Sequence, residues 1–127
     1  MALLAEYIRE QAGVFHIIGG GFDTIHVDEV PVAANLALLY FLSFSDDEVA
    51  QAHRVEVSLR KGEQLLFQTQ NDLTPQRAAD LPPDWRVRGQ VNLNFGVLLP
   101  EFGEYAFDLR VGGDLLKTMN LRVVQPN

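Results

Sequence analysis

Apolar side chains fall on every second position from Trp85 to Val97. Trp85, Val87, Gly89, Val91, Leu93, Phe95 and Val97 alternate with Arg86, Arg88, Gln90, Asn92, Asn94 and Gly96. A repeat of two is that of a strand with one face buried. The same alternation sets Val55, Val57 and Leu59 against Arg54, Glu56, Ser58 and Arg60. It recurs with Tyr105, Phe107, Leu109 and Val111 against Ala106, Asp108 and Arg110. Lys61-Gly62-Glu63 and Gly112-Gly113-Asp114 stand where hairpin turns are needed. Leu65 and Phe67 begin one return strand, and Met119, Leu121 and Val123 the other.

Three stretches depart from this rule. Ala33 to Phe44 is apolar on both parities, with Leu36, Leu38, Tyr40, Leu42 and Phe44 on one and Ala37, Leu39 and Phe41 on the other. A strand with one wet face does not read this way, so another segment of the chain or another subunit must cover its second side. Gly19-Gly20-Gly21 interrupts the apolar runs Val14–Ile18 and Phe22–Val27, as a bulge, a bend or a close backbone approach requires. A phosphate cradle would need a helix directly after the glycines, and Phe22-Asp23-Thr24-Ile25 does not open one. Ala2 to Gln11 has good helix formers, and Leu4, Ile8 and Ala12 would share a helical face. The hairpin-like spacing to Val14 favours a strand, with Leu3, Ala5 and Tyr7 on one side. Asn71 to Asp84 is irregular, and Thr74-Pro75 resembles the cap and first position of one short helical turn.

Strands separated by turns, with almost no helix, predict an all-β antiparallel sandwich, immunoglobulin-like or jelly-roll-like, of about eight strands and at most one short helical turn. Its 127 residues fit a single domain, 1–127. Zero cysteines exclude a disulfide framework and thiolate chemistry. A net charge of −7, from ten basic against seventeen acidic residues, argues against a nucleic-acid partner. Arg86, Arg88 and Gln90 share a face that reads as solvated. No run has the apolar length of a membrane span and no secretory leader is read, so the expected location is the cytoplasm, with no membrane partner.

Two motifs resemble a known family. One is Ile17-Ile18-Gly19-Gly20-Gly21-Phe22-Asp23-Thr24-Ile25 followed by Pro31. The other is Pro100-Glu101-Phe102-Gly103-Glu104-Tyr105 running into the Gly112-Gly113 hairpin. Together, and in this order, they resemble a family of small bacterial β-sandwich proteins catalogued only as a domain of unknown function. The resemblance implies a sandwich fold and carries no catalytic residue with it.

The candidate chemistry is thin. Of the histidines His16, His26 and His53, His26 and Asp28 lie on one side of a strand and would offer two metal ligands. Asp46, Asp47 and Glu48, with Asp28 and Glu29, would offer oxygens to calcium, but the spaced acids and central glycine of a calcium loop are missing. A solvated acidic turn is the plainer reading, as a core histidine is for His16. No serine sits in a Gly-x-Ser-x-Gly elbow. Trp85 and Tyr105 would suit a sugar face, although Trp85 shares the parity of the core series.

The residues therefore point to a non-enzymatic interaction or structural module without a cofactor. Its expected partner is a second copy or another protein, with Leu39 and Phe41 as interface residues. A carbohydrate- or calcium-binding module and a hydrolase with a spatially assembled site are the alternatives.

Overall fold

The computed structural model describes residues 2–11 and 14–126. Ala12 and Gly13, between two of the predicted strands, lie outside the described residues. Among the described residues ten strands follow one another: β1 Ala2–Ala5, β2 Tyr7–Gln11, β3 Val14–Ile18, β4 Thr24–His26, β5 Val32–Phe44, β6 His53–Lys61, β7 Gln64–Leu73, β8 Val87–Leu99, β9 Gly103–Val111 and β10 Asp114–Val124. A single 3-10 turn, Asp46–Glu48, is the helical element among the described residues. The helical turn expected at Thr74-Pro75 is absent; that segment runs irregularly to Trp85.

Two sheets stack into a sandwich. One has the order β1-β5-β8 and the other β4-β10-β9-β6-β7. All pairings are antiparallel except that of β4 with β10, where Thr24, Ile25 and His26 lie parallel to Arg122, Val123 and Val124. The core forms between the inner faces, from Leu36, Leu38, Leu42 and Phe44 of β5, Val55, Val57 and Leu59 of β6, Tyr105, Phe107 and Leu109 of β9, and Leu121 and Val123 of β10. These are the positions the alternation assigns to the inside.

The count exceeds eight because the first segment breaks at Glu6 and the glycine triplet separates β3 from β4. β1 extends the first sheet, whereas β2 and β3 pair into a separate two-stranded hairpin. That hairpin lies on the outer face of β5. Ile8 packs with Ala5, Ala37 and Leu39 in a second apolar cluster, flanked by Leu3, Phe15 and Phe41. The second side of β5 is thus covered by the same chain. The side-chain amide of Asn94, on β8, fastens the cover. Its Oδ1 accepts from the Ile8 N–H at 3.0 Å, and its Nδ2 donates to the Ile8 carbonyl at 2.8 Å.

The glycine triplet is a bend. Gly19 and Gly21 have φ of 64° and 83°, in the left-handed region. A Cβ on Gly19 would stand 2.7 Å from the Glu6 side chain. The Gly21 N–H donates to the Leu4 carbonyl at 2.8 Å, tying the bend to β1.

Candidate interaction surface

The acidic residues do not converge. Asp46, Asp47 and Glu48 form the 3-10 turn. The Glu48 carboxylate accepts from the backbone N–H and hydroxyl of Ser45, both at 2.8 Å, and these bonds hold its pKa below the ordinary value. Asp46 pairs with Arg77. His26 lies on β4 at the far side of the molecule's strand order, and Asp28 is exposed in the following loop. Among the described residues no three His, Cys, Asp or Glu side chains group as a metal site would require.

The other expected site residues also fall elsewhere. His16 is exposed on β3, opposite Arg9, because β3 belongs to the outlying hairpin rather than the core. His53 lies tilted against the Phe44 ring, and its Nε2–H donates to the Glu48 carbonyl at 2.6 Å. Trp85 precedes β8 and is 59% exposed, so the alternation runs two residues further in sequence than the strand does. Tyr105 is buried. Its hydroxyl donates to the Glu101 carbonyl at 2.5 Å and accepts from the Glu101 N–H at 3.0 Å, a corner that fixes the entry to β9 rather than a sugar platform.

Leu39 and Phe41 require a correction as interface residues. Leu39 is 1% exposed beneath the β2–β3 hairpin. Phe41 is half-buried, with the Phe15 ring edge-on at 5.6 Å and the Arg88 guanidinium 4.6 Å from its centroid. The hairpin supplies the cover that the two-sided apolar strand demands. It carries exposed apolar residues of its own in Tyr7, Val14 and Ile18.

A second open surface is a seam. β7 and β8 are each the last strand of their sheet, so each presents an unpaired backbone edge. The two edges run alongside each other. A Cβ on Gly89 would meet Leu73 at 3.0 Å and Phe44 at 2.8 Å, which closes one end of the seam. Phe67 and Phe95 stack with centroids 4.4 Å apart and planes 11° from parallel, which closes the other. Between these plugs lies a gap of about 170 Å³, lined among others by Thr69, Asn71, Val91 and Leu93. The core-facing residues Val91, Leu93, Phe95 and Val97 of β8 are only partly buried, as are Phe67 and Leu73 of β7. Their counterparts on the central strands β6 and β9 are closed off from solvent.

The middle of each edge lacks the usual protection. Gln64 to Asn71 contains no charged residue, and neither does Gly89 to Pro100, in a chain that is 21% charged. β8 pairs with β5 along its whole length without a bulge, whereas β7 bulges against β6 at Leu66, near its start, and carries Asp72 near its end. Isolated edges are normally blunted by lysines, prolines or bulges. The opposite edges of the two sheets, β1 and β4, are short, with four and three residues.

A two-layer, all-β sandwich with an added surface hairpin is the class that this architecture defines. Residues 1–124 match the family of unknown function DUF6941, and the chain belongs to that family. No curated protein and no solved structure matches it.

Proposed function

We propose that this chain is a non-enzymatic interaction module that works through self-association. The observation that carries this reading is the seam, where partly exposed core residues lie between two long edges whose middle stretches carry no charge. An apolar interior that reaches the surface beside unpaired backbone is stabilised when another strand covers it. The polar groups support the same reading. The most deeply placed carboxylate, Asp108, is engaged by Arg60 and Thr118, which suits a structural role. Sedimentation equilibrium of the full chain from about 1 to 100 µM tests it, since interfaces of ordinary size associate in that range. A concentration-dependent rise above the monomer mass is expected; a monomer throughout would refute the reading.

A second reading, a binding module for a small hydroxyl-rich ligand such as a sugar, has one observation in its favour. The glycine bend opens a cleft of about 700 Å³ lined by Glu6, Phe22, Thr24 and Asn35. A glycan panel screened by thermal shift should raise the melting temperature on this reading, and a flat panel would remove it.

A further inference from the structure

The geometry points to an isologous dimer of this chain in which a single two-fold axis, passing beside Asn92 and Gln70, pairs β8 with β8 and β7 with β7 of the second copy. The inference rests on the self-association proposed above and specifies its surface. The contacts at the two ends of the seam fix how the edges run. Gly89 lies against Leu73, and Phe95 stacks on Phe67, so β7 and β8 pass each other in opposite directions. Asn92 is midway between Gly89 and Phe95, as Gln70 is between Phe67 and Leu73. An axis normal to the sheets at this level therefore meets the middle of both edges at once.

The registers that this axis imposes are self-complementary. On the core side of β8, Val91 falls opposite the second copy's Leu93, and Gly89 opposite its Phe95. On the outer side, Asn92 meets Asn92, Gln90 meets Asn94, and Arg88 meets Gly96, so no cation faces a cation. On the core side of β7, Thr69 falls opposite Asn71 and Phe67 opposite Leu73, matching polar with polar and apolar with apolar. Cross-strand pairs of this kind are what stabilises an antiparallel ladder. Thr69 and Asn71 occupy inward positions, set by their register with Val57 and Val55 of β6. Each gains an amide or hydroxyl partner from the other copy at the gap. Growth stops at two copies, because β1 and β4, the outer edges of the resulting sheets, are too short to template another such ladder.

The test places like charges on the axis. Asn92→Lys and Gln70→Lys, separately, should each raise the dimer dissociation constant at least about tenfold, because identical charges oppose each other directly. Leu116→Lys, at the exposed bulge near the start of β10, should leave it unchanged. Circular dichroism melts establish that each variant folds. Independently, Asn92→Cys provides the sole thiol in this cysteine-free chain. A short bis-maleimide should link two copies through it, whereas Leu116→Cys should not be linked. A wild-type monomer overturns both this inference and the self-association reading. A wild-type dimer indifferent to both lysines and refractory to cross-linking at Asn92 overturns the edge geometry alone. Assemblies larger than two overturn the closed symmetry.

Discussion

Asp108 shows how a charged residue is tolerated in the middle of β9. Burial alone would raise its pKa. The Arg60 Nε–H, which donates to it at 2.7 Å, and the Thr118 hydroxyl, which donates at 2.8 Å, outweigh that effect, with the charges of Arg60 and Arg110 adding to them. The carboxyl is therefore held below its ordinary value of 3.8. A depressed pKa in the folded state stabilises above the unfolded value, and the contribution is lost as pH falls through the folded one. Asp108→Asn should cost about 1–2 kcal/mol in urea unfolding at neutral pH, with Arg60 partly exposed and so partly compensated by water. The difference from wild type should shrink on repeating the titration near about pH 2.5. Tyr105→Phe removes two hydrogen bonds to Glu101 and should cost about 1 kcal/mol in the same measurement.

At the scale of elements, the β2–β3 hairpin is the piece whose attachment is most separable. Its apolar contacts form a cluster distinct from the main core, and Asn94 clasps its backbone. Asn94→Ala should accelerate amide exchange in β2 and β3 while leaving β6 and β9 protected, as expected of a unit that opens on its own. Gly89→Val should instead weaken the whole sandwich by about 1–3 kcal/mol, since its side chain has no room beside Phe44 and Leu73.

These elements differ in how well they could be read. β6, β8, β9 and β10 follow directly from period-two alternation, because each buries one face. The demand for a cover over β5 was equally legible. The cover itself was not, since Tyr7 to Gln11 is locally helix-prone and becomes a strand only through its pairing with β3 and its packing on Leu39. Trp85 misleads because parity continues past the point where pairing with β5 stops at Phe44. The seam is a property of strand order, which alternation does not encode. Its one trace along the chain is the missing charge of Gln64 to Asn71 and Gly89 to Pro100.

For the whole molecule, the net charge of −7 acts against the proposed assembly, since two acidic bodies must approach. The middle of their contact at the seam, Gln64 to Asn71 and Gly89 to Pro100, is uncharged, and Asp72 and Arg88 near its ends face Gln68 and Gly96 rather than a charge, so salt screens the repulsion with little weakening of the contact. Raising sodium chloride from about 20 to 300 mM should tighten association several-fold by sedimentation equilibrium; weakening would point to a charge-mediated contact instead.

The parallel pairing of β4 with β10 ties Thr24–His26 to a strand nearly a hundred residues later, and β10 is also the neighbour of β9. During synthesis the early strands must therefore wait for partners that the ribosome has not yet made. Stalling translation at successive lengths should show protease resistance arriving in one late step, once Val124 has cleared the exit tunnel, instead of accumulating strand by strand.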